Sequence, residues 1–462
     1  MSEGVFRAIA AASSGYVEAP AGCGKTEAIV RTVGYHCSER QLVLTHTHAG
    51  VDALRQRFKE HHIPAAKFHI DTIAGWAWGW VRRYPENANY HSSIEFAVWD
   101  DVYAAMLNLL SKDFVVRGIL NSYAGLIVDE YQDCTLPMHQ LMGQLGTLLP
   151  CRVLGDELQG IFGLGSDQLV NWSDVRGEFK NDLGTLDTPH RWNKAGNEPL
   201  GKWLIGAREH FKRDQEPDFS GSSIVRDVVS QSSLSSKLIN LTHQKNGRIC
   251  VVRPKARSLP AGLETSLVKN SYRILEANDL PTLRGLIEVL VNGTDQQKSS
   301  ASVKFVKRSF GGLNPGDRDF VKKVLCGNKQ RPLREDRKSL ASAHIAGTTP
   351  RSILAVLGYL EDLDDIRVKL SESVSALKCI LEEHIETESC LRSLYADEIS
   401  RRKYQRRSNV FRCVGSTLLV KGLEFDHAII VRGENWGSLK DLYVALTRGS
   451  KSVTLLDLRE SG

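Results

Sequence analysis

The segment Ala19-Pro20-Ala21-Gly22-Cys23-Gly24-Lys25-Thr26 narrows the possible folds more than any other part of this chain. It follows the strand-like Tyr16-Val17-Glu18 and opens a helical stretch from Thr26 to Val33. A strand, a glycine turn and a helix in immediate succession aim backbone N–H groups and the positive helix end at one point, which is what a phosphate loop requires. Gly22 and Gly24 let the backbone curl. Lys25 is placed for the β- and γ-phosphates, and the Thr26 hydroxyl for Mg2+. The candidate nucleotide-binding set here is Gly22, Cys23, Gly24, Lys25, Thr26 and Glu27, with Ala19 where the general pattern has its first glycine.

A phosphate loop that hydrolyses its nucleotide needs a carboxylate for the metal. Leu126-Ile127-Val128-Asp129-Glu130 supplies two at the end of an apolar strand. Asp129 is the candidate Mg2+ ligand together with Thr26, and Glu130 the candidate base that orients and deprotonates the attacking water. Adjacent carboxylates are costly to bury without a cation. ATP and Mg2+ are the expected cofactors.

The chain around this site reads as α/β. The first 190 residues alternate short apolar strands (Gln41 to Thr45, Gly125 to Asp129, Arg152 to Gly155) with helical segments, the pattern of a parallel sheet covered on both faces. Phe96, Trp99, Val102, Tyr103, Met106, Leu109 and Leu110 recur at helical spacing within an interruption of that pattern. Alternation resumes with strands at Ile249 to Val252 and Tyr272 to Leu275, and again from Val414 to Val431 and Val453 to Leu456. Between them, residues 359 to 414 lack Gly and Pro, and Leu360, Leu363, Ile366, Leu370, Val374, Leu377, Leu381 and Ile385 recur every three or four residues. The expectation is two RecA-like α/β domains with parallel sheets. The first covers 1–187 with a helical insertion about 73–121, the second 188–462 with one about 294–408.

Composition closes off other classes. Apolar residues at 42% and charged residues at 25% are those of a globular chain, not a disordered one. No run approaches the ~20 apolar residues that span a bilayer, and Met1-Ser2-Glu3 does not begin a secretory leader. The nine cysteines form no CxxC pair or Cys/His cluster, so free thiols in the cytoplasm are expected. A net charge of +6 permits a polyanionic partner.

At Asp129-Glu130-Tyr131-Gln132-Asp133 the chain resembles the UvrD/Rep family of superfamily one DNA helicases. Further segments resemble that family's motifs in order: Thr45 to Val51, Gly155 to Phe162, His190-Arg191-Trp192, Lys421 to Asp426, and Tyr443 to Arg448. The resemblance implies that Gln159 senses the γ-phosphate, that Arg191 and Arg448 are arginine fingers, and that Glu424 touches the ribose. His190 stands where an adenine-stacking Tyr is common, and no Gln lies upstream of the loop, where the family reads adenine. It further implies an ATP-dependent helicase or translocase on single-stranded DNA or DNA with a single-stranded tail, of 3′ to 5′ polarity.

Candidates for the nucleic-acid track are His46, His48, Thr72, Trp76, Phe162 and Trp192, with Gly163-Leu164-Gly165 replacing a segment in which the family usually carries a stacking Trp. Trp78 and Trp80 follow Trp76 at spacing two and would share its face only on a strand. Residues 303 to 338 hold eleven Lys/Arg against four Asp/Glu, and Arg401, Arg402, Lys403, Arg406 and Arg407 cluster in seven residues. Val51-Asp52-Ala53-Leu54, Asp71 to Trp76 and His190-Arg191-Trp192 look similar to the helicase subunits of Gabija-like anti-phage systems, which implies a nuclease partner. The alternative is a DNA-sensing ATPase switch that regulates such a partner without processive unwinding.

Overall fold

Short apolar runs, most of them buried on both faces, build two all-parallel sheets. The computed structural model describes residues 3–91, 99–161, 168–253, 271–275, 281–326, 348–363, 365–387, 411–433 and 436–459, with a few isolated positions between 263 and 399. The first sheet consists of β1 (Ser14–Glu18), β2 (Gln41–Thr45), β3 (Phe68–Thr72), β4 (Gly125–Val128), β5 (Cys151–Gly155) and β6 (Asp182–Thr185). Their order is β3-β2-β4-β5-β1-β6, and every pairing is parallel. All positions of β2, β4 and β5 are buried. Parallel strands come to this state when helices cover both faces.

Further along come β7 (Val225–Ser230), β8 (Ile249–Arg253) and β9 (Arg273–Ile274). A short antiparallel pair follows, β10 (Phe310–Gly311) with β11 (Arg367–Val368), and then β12 (Arg412–Ser416), β13 (Phe425–Arg432) and β14 (Gly449–Arg459). The second large sheet has the order β7-β14-β13-β8-β12-β9, again parallel throughout. The expected class, two RecA-like α/β domains, is the observed one. Helices Ile73–Val81, Trp99–Leu109 and Asp113–Ser122 occupy the interruption between β3 and β4, and they bury Ile73, Trp76, Val102, Met106 and Ile119 in one core with Leu42 and Val128. Phe96 lies outside the described residues.

The chain divides into two compact units, Met1–Leu275 with Arg407–Gly462, and Glu276–Arg406. Both large sheets belong to the first. The second has its own core, in which Leu286, Phe305, Phe320, Leu357 and Leu377 meet. Its helices Asp295–Ser309, Pro315–Leu325 and Pro350–Glu361 each begin with a capping box, at Thr294, Asn314 and Thr349. The helix Pro281–Asn292 contributes Leu283, Leu286 and Ile287 to that same core. The helical spacing that runs through Leu360, Leu363, Ile366 and Leu370 is interrupted: the helix ends at Glu361, β11 pairs with β10, and a new helix spans Ser371–Thr387. Leu363 and Ile366 remain buried through this turn, so the apolar period persists where the helical backbone does not.

Candidate nucleotide site

Strand order brings the site together. In the first sheet β1 neighbours β5 and β5 neighbours β4, so the turns that follow these three strands meet at one edge. The chain leaves β1 toward β2 on one side and passes from β5 to β6 on the other. Crevices at such a switch point are where open parallel sheets bind ligands.

After β1, Gly22 and Gly24 have φ of 67° and 87°, and a helix Lys25–Arg31 follows. A Cβ on Gly22 would lie 2.9 Å from the Arg191 Cβ and 2.9 Å from the Trp192 ring, so conformation and space both require glycine there. The amides of Lys25 and Thr26 open the helix and have no carbonyl four residues back to bond. Lys25 is buried; its Nζ donates to the Ala19 carbonyl at 3.1 Å and lies 3.6 Å from Glu130 Oε2. Burial acts to lower its pKa, but the carboxylates of Glu130, Asp156 and Asp129 outweigh that and hold it above the usual lysine value. Burial pushes the Cys23 thiol up to about 12, so it packs as a protonated apolar group. Glu27 is drawn away from the loop: it accepts from Arg31 Nε at 2.6 Å and lies 3.1 Å from His61 Nε2.

After β4, Asp129 is buried. Burial, and then the Glu130 charge, raise its pKa. Glu130 has φ of 55°, a left-handed conformation that a non-glycine residue holds only where its surroundings enforce it. Enclosure acts to raise the Glu130 pKa, but Lys25 and the Gln132 amide, which donates to Glu130 Oε2 at 2.5 Å, keep it below the usual carboxylate value. Of the adjacent pair, Asp129 therefore holds its proton longer. A divalent cation beside it would displace that proton. Among the described residues no group of three His, Cys, Asp or Glu side chains forms a self-contained metal cage.

The second half of the unit supplies cations. Arg191, on the short helix His190–Lys194, donates through Nη1 to the Thr447 carbonyl at 2.8 Å and through Nη2 to Glu424 at 2.5 Å. Its Nε is buried without a hydrogen-bond partner, and its backbone N–H donates to the Gly22 carbonyl at 3.2 Å. A buried, unsatisfied guanidinium donor beside the phosphate loop fits an anionic ligand. Arg191 in turn holds the Glu424 carboxyl below its usual value. His190 Nε2 is likewise buried and unpartnered, and burial keeps the ring neutral by lowering its pKa. Arg448 differs. Only 1% exposed, it donates to Val444 O at 2.9 Å, Leu423 O at 3.2 Å and Thr447 Oγ1 at 2.7 Å. In this arrangement its donors serve the second sheet's own loops. Burial brings its pKa down to about 10.

After β5, Gln159 donates to Asp156 Oδ2 at 2.8 Å. Asp156, which sequence reasoning does not single out, is fully buried and is the centre of the site's polar network. It accepts from the phosphate-loop amide of Ala21 at 3.1 Å, and its Oδ1 lies 2.8 Å from Arg208 Nη1. Its backbone N–H donates to Gln132 Oε1 at 2.9 Å. Arg208 also donates to Glu18 Oε1 at 2.6 Å and to the Tyr443 hydroxyl at 2.7 Å. Asp156 lies within a quoted motif and could have been found from it. Arg208 follows Gly206-Ala207 in a helical stretch with no pattern of its own, and a lone arginine there reads as a solvated surface group. Lys421 is a second unforeseen bridge: buried, it reaches Asp133 Oδ1 at 2.5 Å and also donates to the Gln159 carbonyl.

Of the residues proposed for the nucleic-acid track, both tryptophans are core residues. Trp76 and Trp192 are 3% and 1% exposed and belong to cores, and Trp192 Nε1 donates to Gly449 O at 3.0 Å. Trp76 lies on a helix with Trp78 and Trp80, where spacing two spreads the rings around the axis. Thr72 caps that helix by accepting from Gly75 N at 2.9 Å. His46 lies 3.4 Å from Cys134 Sγ, and burial lowers its pKa to about 4. In the basic stretch, Lys304, Lys307, Arg308 and Lys322 are exposed. Residues 327–338, Phe162, Gly163 to Gly165, Arg401, Arg402, Lys403, Arg406, Arg407 and the side chain of His48 lie outside the described residues.

Fold and site define a class: an α/β protein with two parallel sheets of RecA-like kind, with the glycine turn, Lys25 and the paired carboxylates at one edge of the first. No protein-family model matches the chain, and no curated protein matches it in sequence. Among solved structures it is similar to the crystal structure of arterivirus nonstructural protein 10, a helicase, at 11% identity and a TM-score of 0.39, over 98% of this chain and 61% of that one. It is also similar to the complex of arterivirus nonstructural protein 10 with DNA, at 15% identity and a TM-score of 0.30, over 55% of this chain and 51% of that one. The chain thus spans less than two thirds of the helicase it resembles. Among the described residues no helix is long and apolar enough to cross a membrane.

Proposed function

We propose that the protein is an ATP-dependent translocase or helicase acting in the cytoplasm on single-stranded DNA, or on DNA with a single-stranded tail. The observation that carries this is the meeting of Lys25, Asp129, Glu130 and Gln159 at the ends of three adjacent strands, with the unsatisfied Nε of Arg191 beside Gly22. Lys25 and the loop amides hold the triphosphate, and Thr26 and Asp129 hold Mg2+, which supplies charge neutralisation when bound. Glu130 takes the proton of the attacking water, and Gln159 senses the γ-phosphate. Arg191 neutralises transition-state charge, joined by Arg448 once its guanidinium leaves Val444, Leu423 and Thr447, and Glu424 and His190 position the nucleoside. Cations from the second sheet couple hydrolysis to movement between the domains.

The finer assignment, a UvrD/Rep-like motor of 3′ to 5′ polarity with a nuclease partner as in Gabija-like systems, rests on the ordered motifs of the sequence. The test is ATP hydrolysis with and without single-stranded DNA, with Glu130→Gln as control, followed by strand displacement on 3′- and 5′-tailed duplexes. Stimulation that vanishes in the variant, with displacement from the 3′ tail, is the expected result. Hydrolysis indifferent to DNA would count against a motor.

One observation favours the second function, a DNA-sensing ATPase switch that regulates a partner nuclease. Trp76 and Trp192 are packed in cores, which removes two of the rings that base-to-base stepping would use. DNA-stimulated hydrolysis without strand displacement from either tail would select the switch.

A further inference from the structure

We infer that Arg208 is a positioning residue for hydrolysis: it holds the phosphate loop and Gln159 in register through Asp156 and ties both to the second sheet through Tyr443. This rests on the proposed ATP hydrolysis at the same site.

Four observations carry it. Arg208 is 5% exposed, yet it begins a helix, Arg208–Lys212, of the connection between the two sheets, and nothing in packing alone requires a guanidinium there. Its fork is shared between two carboxylates that bracket the phosphate loop. Glu18 ends β1 on one side at 2.6 Å, and Asp156 follows β5 on the other at 2.8 Å. Asp156 spends its remaining capacity on the groups that matter to a γ-phosphate: Oδ2 accepts from Ala21 N at 3.1 Å and from Gln159 Nε2 at 2.8 Å, and Oδ1 accepts from Leu158 N at 3.2 Å. The Tyr443 hydroxyl accepts from Arg208 at 2.7 Å and lies 3.4 Å from Asp156 Oδ2. Tyr443 belongs to the helix Leu439–Leu446, and Arg448 follows that helix within two residues.

The physical consequence is specific. A fully buried carboxylate needs a buried cation, and a planar fork can satisfy two carboxylates at once where an ammonium is a single point charge. Lys212 already reaches Glu18 at 2.7 Å, so neutralising Glu18 does not by itself explain Arg208. What Arg208 adds is the one charged hold on Asp156 among these partners, beside the neutral Leu158 N–H and Tyr443 hydroxyl. If Asp156 rotates, Ala21 N and the Gln159 amide lose their shared acceptor together, and the sensor leaves its place while Lys25 and the loop glycines keep theirs. The loss therefore falls on turnover rather than on nucleotide binding.

Arg208→Lys keeps the charge and removes the fork. The expected result is a kcat for ATP lowered about tenfold with KM changed by less than about twofold. In a cycle with Gln159→Ala, the double variant is expected to be no slower than the slower single one, because both act through the same amide. Tyr443→Phe removes one hydroxyl from the network; it is expected to lower kcat about threefold at an unchanged melting temperature, and it decides the matter should Arg208→Lys not fold. Unchanged kcat in a folded Arg208→Lys, or losses that multiply in the double variant, would overturn the inference while leaving ATP hydrolysis intact. Absence of hydrolysis by the unaltered protein would overturn both.

Discussion

Among the described residues the two large sheets have the same strand count and the same all-parallel construction, yet they carry different groups. The first bears its chemistry on turns held in unusual backbone conformations: Gly22, Gly24 and Glu130 all have positive φ, and Lys25, Asp129 and Glu130 face one another across that edge. The second half has left-handed glycines too, at Gly247, Gly422 and Gly437. It contributes cations, the buried Arg208, Lys421 and Arg448 and the half-buried Arg191, each tied to a carboxylate or a carbonyl. A repeated parallel-sheet architecture thus carries one cluster of glycine turns and carboxylates and one set of cations set against it. One pair between the halves, Lys421 with Asp133, is not an ordinary stabilising bridge. Burial pushes Asp133 up to about 6 and Lys421 down, so each partner is moved toward its neutral form. Such a pair fixes position at a cost in stability.

The sharpest way to break this contrast is at the first sheet. Lys25→Ala should lower ATP turnover roughly a thousandfold and cost about 3 kcal/mol of stability, because Glu130 and Asp129 lose the cation that offsets their charge. Lys421→Met acts on stability from the other half. It leaves Asp133 buried without its cation and should cost about 3 kcal/mol of stability at pH 8 by chemical denaturation. That loss should shrink below about pH 6, where Asp133 takes up a proton. Arg191→Ala separates the arginines: a roughly hundredfold fall in kcat with stability within about 1 kcal/mol of the unaltered protein. Arg448→Ala should instead destabilise by about 2 kcal/mol, since it strips the Val444 and Leu423 carbonyls of their donor. An Arg448→Ala protein that melts normally would show that this arginine is not a structural clamp.

The smallest effect concerns His46. Its folded pKa of about 4 lies below the ordinary histidine value, so the unfolded chain binds the extra proton first. Stability on this account is complete above about pH 6.5 and declines by on the order of 2 kcal/mol as pH falls toward 4. His46→Gln should flatten that slope in pH-dependent melting, and an unaltered slope would assign the acid sensitivity to other groups.

Much of the site was legible because its pieces are local. A strand, Gly22, Gly24, Lys25 and Thr26 lie within one stretch of chain, as do an apolar strand and Asp129-Glu130, and local backbone geometry is enough to place them. Helical spacing was a weaker guide. It persisted through Leu363 and Ile366, where the backbone turns and pairs as β10–β11, because burial selects apolar residues without regard to the backbone that carries them. It also could not tell a stacking tryptophan from a core one, and Trp76 and Trp192 are core.

The class of sheet, the glycine turn with Lys25, the paired carboxylates and the order of the motifs are each written in consecutive residues. Only the tertiary structure decided what stands against them. Asp156 meets Arg208 and Ala21, Arg191 meets Glu424 and Gly22, and Lys421 meets Asp133, across separations in the chain that no local pattern encodes. A buried charge must find its partner wherever packing brings one, and packing is a property of the whole fold.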